Sequence, residues 1–168
     1  MKKILFIAAV AAALVACKKD EPVPSGQTVD FAKAVYFEAL GTNTVPNVEG
    51  ENKDQAFTLD SVRAEAVIVS DSTLDIYLYQ INFTSKMPVS IDMTIPGASY
   101  TRTAERITIT GADIDILMGT RASGYSITAL EGYLTADSLV IRNDYTSIRG
   151  TYPDCTYAGK ITQIKETL

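Results

Sequence analysis

The chain has 168 residues, 15 Lys and Arg against 20 Asp and Glu, two cysteines, no tryptophan and no histidine. Without histidine it lacks the commonest general base, the commonest zinc ligand and every Ser-His or Cys-His nucleophile pair. A net charge of −5 with no basic cluster argues against nucleic acid, or anionic lipid, as an electrostatic partner.

The chain opens with Lys2–Lys3, an apolar run from Ile4 to Ala16, and Cys17. A basic start, a short apolar core and small residues before a cut are the parts of a secretory signal. The run is too short for a membrane-spanning helix, which needs about 20 residues. Its end, Leu14-Val15-Ala16-Cys17, looks like a bacterial lipobox, in which the cysteine thiol is diacylglycerated and the preceding peptide is removed. Residues 1–16 are therefore expected to be a lipoprotein signal peptide and Cys17 the lipidation site. The mature chain, Cys17–Leu168, has 152 residues and, without Lys2 and Lys3, a net charge of −7. That length suits one domain with a real core. Membrane attachment is expected from acyl chains such as palmitate, several on one cysteine holding far better than one.

Residues 17–28 read as a lipidated flexible tether: Lys18–Thr28 is polar, with two prolines and a glycine and no periodicity. Lys19-Asp20-Glu21 resembles the Lys-acid-acid signal that displays some Bacteroidetes lipoproteins on the cell surface. A solvated charge run is the plain alternative.

The domain, 29–168, begins with an expected strand over Val29–Leu40, with Phe31, Val35 and Phe37 on one face. Gly41–Ala56 has two glycines, a proline, three asparagines and no apolar pattern. It reads as a long loop, either a binding lid or disorder. Ser61–Ser70 alternates, with Val62, Ala64, Ala66 and Ile68 on one face, and turns at Asp71-Ser72 into a central hairpin. The hairpin pairs Thr73–Thr84 with Val89–Ile95. Its second strand alternates strictly, Val89, Ile91, Met93 and Ile95 against Ser90, Asp92 and Thr94, as in a sheet with one buried face. Its first strand is apolar on both faces: Leu74, Ile76 and Leu78 on one, Tyr77, Tyr79, Ile81 and Phe83 on the other.

After Pro96-Gly97 a loop is expected, then a strand over Glu105–Thr110. The alternation slips by one at Gly111-Ala112, the signature of a bulge or corner. Tyr125–Thr135 and Leu139–Tyr145 form a further hairpin around Ala136-Asp137-Ser138, and a last strand covers Thr156–Ile164. About eight closely spaced strands without an amphipathic helix predict an all-β antiparallel barrel or sandwich. With Cys17 acylated, Cys155 has no intramolecular partner. It is either a buried small hydrophobe, the more frequent state of a free cysteine, or a thiol that cross-links two copies.

The strand order, MPVSIDMTIPG at 87–97, YSITALEGYLTADSL at 125–139 and Tyr157-Ala158-Gly159-Lys160 resemble the calycin-like (lipocalin-like) β-barrel lipoproteins of Bacteroidetes, over roughly Val29–Ile164. The resemblance implies an up-and-down eight-stranded barrel on a lipid tether, with a central cavity in some members. It implies little about function. The chain lacks the Gly-x-Trp signature of the better-known lipocalins, so hydrophobic-ligand transport is not carried over from them.

Few constellations carry chemistry. Asp113 and Asp115, at i, i+2 on one strand, could approach a cation, or form a solvated edge. No Gly-rich loop precedes a helix, so no nucleotide cradle is expected. Neither enzyme activity nor a cofactor or metal is expected. Tyr77, Tyr79 and Phe83 are candidate contacts for a small apolar or amphiphilic ligand if their face lines the barrel, and core or outer packing if it does not. Asp60-Ser61-Val62, Asp71-Ser72-Thr73 and Asp137-Ser138-Leu139 resemble bacterial O-glycosylation acceptors, though turn chemistry also explains Asp-Ser between strands. Asn82-Phe83-Thr84 fits a sequon, but inside an expected strand. The function expected is non-enzymatic: a lipid-anchored outer membrane or surface lipoprotein with a ligand in its barrel. The alternative is a structural or interaction lipoprotein with a self-filled barrel meeting a protein or glycan. Protease inhibition, known for this barrel class, has no exposed loop signature here.

Overall fold

The computed structural model describes residues 28–46, 49–50, 56–82, 87–148 and 150–167. The expected signal peptide, Cys17, the Lys19-Asp20-Glu21 run, nearly all of the tether, and Phe83 lie outside the described residues. The strands are β1 (Ala34–Val45), β2 (Glu49–Gly50), β3 (Phe57–Ile68), β4 (Thr73–Ile81), β5 (Ile91–Arg102), β6 (Ile107–Gly111), β7 (Ile114–Met118), β8 (Arg121–Leu134), β9 (Ser138–Ser147) and β10 (Gly150–Glu166). β1, β3, β4, β5, β6, β8, β9 and β10 follow one another antiparallel, and β10 closes on β1. β7 pairs with β5 and β8, and β2 pairs with the start of β10. The expected all-β, eight-stranded up-and-down barrel is thus the fold, and closure leaves no long unpaired edge.

Alternation sorts the side chains. Leu74, Ile76 and Leu78 of β4 are buried with Phe37 and Ala39 of β1, Ala64 and Ala66 of β3, and Met93 and Ile95 of β5. The small residues of β1 and β3 leave room for the large ones facing them, which is how a narrow barrel fills. Outward positions carry Arg63, Glu65, Thr108, Thr110, Glu131, Arg142 and Lys160. An apolar inside and polar outside invert the pattern of a membrane-spanning barrel.

Three bulges share one construction. In β4, Tyr79 and Gln80 face the single residue Asp92; in β5, Pro96 and Gly97 face Asp75; in β10, Pro153 and Asp154 face Asp144. The second residue of each bulge has positive φ: Gln80 54°, Gly97 66°, Asp154 53°. Its N–H donates to the facing carboxylate, at 2.9 Å to Asp92, 2.8 Å to Asp75 and 2.7 Å to Asp144. The carboxylate satisfies the amide that a bulge removes from the ladder. Each bulge also shifts the alternation, so residues three apart point inward together: Leu78 and Ile81, Ile95 and Ala98, Tyr152 and Cys155. Asp144→Ala should therefore cost about 1.5 kcal/mol, the range of a bond to a charged acceptor. Urea unfolding reads this as a lower midpoint at unchanged slope; an unshifted midpoint would deny the carboxylate that role.

The bulges correct several expected boundaries. Pro96-Gly97 does not end a strand, because β5 bends there and runs on to Arg102. The expected loop Gly41–Ala56 is strand to Val45, and β2 and the first residue of the described stretch before β3 fall in it as well. Its pattern was hidden because Gly41 has no side chain and the inward Asn43 is polar yet buried. Val29–Lys33 is a turn rather than strand: Asp30 O accepts from the N–H groups of Lys33 and Ala34. Phe31 of that turn is buried and stacks on Phe37, centroids 6.1 Å apart. The slip at Gly111-Ala112 is present as the break between β6 and β7, with Asp113 at φ 53°.

Candidate functional site

The barrel interior is the first place to look for a ligand. Phe37, Ala39, Ala64, Ala66, Leu74, Ile76, Ile95, Ile107, Ile109, Leu134, Leu139 and Ile141 each have 0% exposure. None of these side chains borders a space that admits a water, so they close on one another. Towards the end of the barrel remote from the N-terminal turn, the interior becomes more polar. Asn43, Asn143, Tyr145, Tyr152 and Cys155 are buried there, and Tyr125 tilts against Tyr152 with centroids 6.0 Å apart. The Asn143 Nδ2 faces the Tyr145 hydroxyl, with no full hydrogen bond to it or to any other described residue.

Tyr77 and Tyr79 are not part of this interior. They alternate with Leu74, Ile76 and Leu78, which point in, so their own face is the outer wall. The bulge at Gln80 turns Ile81 inward, so Ile81 does not share their face as expected. Of the two alternatives for this pair, packing on the outside of the barrel is the one the burial pattern matches. Their polar tips are engaged outside: Tyr79 Oη donates to Glu65 at 3.0 Å and Tyr77 Oη to Asp75 at 3.5 Å. Arg63 lies 4.7 Å over the Tyr79 ring and pairs with Glu38 and Glu65. Tyr36 Oη donates to Glu38 at 3.2 Å. Burial foremost, and then the facing carboxylates, push the Tyr77 and Tyr79 phenols up. This wall of β1, β3 and β4 spends its polar groups on itself, and the signal sequence reasoning lacked was the neighbouring strand. Phe83, the third candidate contact, lies outside the described residues.

The end where the chain enters is closed by Arg102. Its Nη1 donates to the carbonyls of Phe31 at 2.6 Å, Ala32 at 3.1 Å and Ala34 at 3.1 Å, and Nη2 donates to Tyr100 Oη at 2.9 Å. Tyr100 Oη in turn donates to the Ser70 carbonyl at 2.9 Å. One guanidinium thereby ties the N-terminal turn across the barrel floor to the β3–β4 hairpin. Sequence reasoning passed over Arg102 because it fell in an expected loop.

Cys155 is buried, as expected of a free cysteine. Burial first, then the charges of Asp144 and Asp154, push its thiol up to about 12 from 9.0. Burial also raises the phenols of Tyr145 and Tyr157. Unfolded, the thiol ionises near 9 and the phenols near 10, while the folded groups hold their protons. Their contribution is therefore intact below pH 9 and is lost as pH rises towards 12. A melting temperature that is level to pH 9 and then falls, less steeply in Cys155→Ala, is the expected result; a flat curve to pH 11 would contradict it.

Asp113 and Asp115 are exposed, and Asp115 accepts from Ser126 Oγ at 2.7 Å. No group of three potential ligands stands together among the described residues. Ser61 and Ser72 of the Asp-Ser triplets are exposed, and Ser138 is half-buried in the β8–β9 turn. Two concavities open on the outside among the described residues. One, about 590 Å³, lies beside the N-terminal turn, Asp71 and Arg102. The other, about 430 Å³, lies on the wall of β6, β8, β9 and β10. No family model, curated protein or solved structure matches the chain.

Proposed function

We propose that this protein is a non-enzymatic, lipid-anchored lipoprotein of the outer membrane or cell surface, of the calycin-like kind, whose self-filled barrel presents its outer wall to a partner. The observation that carries this reading is the zero exposure of the inward apolar side chains from Phe37 to Ile141. A barrel without free volume along its walls has its recognition chemistry outside. The lipobox-like Leu14–Cys17 and the polar run after it supply the anchor, and a lipid-tethered scaffold needs a rigid body with a wettable exterior. Palmitate labelling of cells tests the anchor. Label and outer-membrane fractionation are expected for the native chain and loss of both for Cys17→Ala; an unlabelled native protein would overturn the reading.

A second reading, a small ligand held inside the barrel, is favoured by one observation. The buried Nδ2 of Asn143 faces the Tyr145 hydroxyl without completing a full hydrogen bond among the described residues, and a buried donor left unmade costs about 1–3 kcal/mol. A bound polar group would remove that cost. On this reading the protein carries a stoichiometric guest at the Tyr145 and Tyr152 end.

A further inference from the structure

The two outer walls of the barrel differ in how their polar groups are used. On β1, β3 and β4 the tyrosine hydroxyls and Arg63 are taken up by Glu38, Glu65 and Asp75. On the wall of β6, β8, β9 and β10, no side-chain partner among the described residues takes up Tyr133, Glu131 or Arg142. The register there sets two outward rows side by side, Thr108–Tyr133–Val140 and Thr110–Glu131–Arg142–Thr156. Glu131 and Arg142 are direct cross-strand partners and both are exposed, yet no ion pair among the described residues joins them. Between the rows lies the concavity of about 430 Å³, within the range of small-molecule sites, about 300–1,000 Å³.

The chemistry of this groove selects its ligand class. Tyr133 is 37% exposed, with Val140 and Thr108 beside it in the same row. An aromatic ring with a small apolar flank offers a platform for an apolar ring face, and its hydroxyl a polar tip. A carboxylate accepts hydrogen bonds only and a guanidinium donates only. Side by side along one edge of the groove, they match a ligand carrying donors and acceptors on adjacent atoms, as vicinal hydroxyls do. The two charges cancel, so the groove favours neither an anion nor a cation. The hydroxyls of Thr108 and Thr110 add groups that both donate and accept, and that of Thr156, which donates to the Asp154 carbonyl at 3.4 Å, adds an acceptor.

We infer that this groove binds a neutral saccharide, with Tyr133 stacking on a sugar ring and Glu131 and Arg142 hydrogen-bonding its hydroxyls. The inference rests on the reading that the exterior is the working surface and names the ligand class for one wall of it. The test is a two-dimensional amide NMR titration of the lipid-free chain Lys18–Leu168 with maltohexaose, xylohexaose and mannopentaose. The expected result is shift changes confined to residues 108–110, 131–133 and 140–142 with at least one sugar. Tyr133→Ala should weaken that binding tenfold or more and Tyr133→Phe little; Glu131→Gln and Arg142→Gln should each weaken it several-fold. These positions are exposed, so the variants fold, and unchanged spectra away from the groove confirm it. No shifts with any sugar, shifts elsewhere, or binding indifferent to Tyr133→Ala would overturn the inference. A photo-cross-linker at position 133 in whole cells separates the two claims. Capture of a protein, with no saccharide shifts, removes the saccharide and leaves the exterior reading standing.

Discussion

Gly41→Ala should destabilise the domain by about 3 kcal/mol or more, the upper range of overpacking, and lower its melting temperature by roughly 10 °C. Gly41 of β1 faces Gly159 of β10 at the seam where the barrel closes. A methyl group at Gly41 would lie 2.1 Å from the Ala158 carbonyl oxygen and 2.3 Å from the Gly159 Cα. Both are backbone atoms, so no side chain can rotate away and the two strands must separate. Tyr157 lies across the inner side of this glycine pair, its hydroxyl donating to the Val62 carbonyl at 3.2 Å. At Gly159 a methyl would meet that hydroxyl at 2.4 Å. Tyr157 can give way there, so Gly159→Ala should cost less than Gly41→Ala, about 1–2 kcal/mol. Urea unfolding of the two variants ranks them; the reverse order, or a Gly41→Ala protein as stable as the native one, would contradict the close seam.

Phe37→Ala is the second large effect, expected to cost about 3–5 kcal/mol, the range for losing a buried aromatic side chain. Phe37 has no exposure and stacks on Phe31 of the turn that closes the barrel floor. Its removal leaves an apolar void walled by rigid strands, and such voids stay dry and take up small apolar guests. Benzene should therefore raise the melting temperature of Phe37→Ala and leave the native protein unchanged. A native protein stabilised equally by benzene would mean that room existed before the substitution.

Both effects depend on neighbours the sequence does not display. The all-β class, the hairpins at Asp71-Ser72 and Ala136-Asp137, and the inward set Val62, Ala64, Ala66, Leu74, Ile76 and Leu78 were legible, because period-two alternation survives within each strand. The bulges were not. A bulge shifts the alternation by one, so β5 reads as two segments and Ile81 falls on the wrong face. Two of the three bulges carry a written mark, Pro96-Gly97 and Pro153-Asp154, since proline is admitted to a sheet at such points. The third, at Gln80, has none, and its Asp92 partner is twelve residues away in sequence. Arg102 and the groove of Tyr133, Glu131 and Arg142 were illegible for another reason. Their roles come from strand register and barrel closure, which pattern along one strand cannot supply.

Native mass spectrometry of Lys18–Leu168, made without its lipid in the periplasm of a Gram-negative host, tests the self-filled barrel most directly. The bare polypeptide mass is expected, with no adduct from a panel of fatty acids and bile acids. A stoichiometric extra mass, lost on denaturation and present in both Tyr133→Ala and native protein, would place a ligand inside the barrel and contradict it.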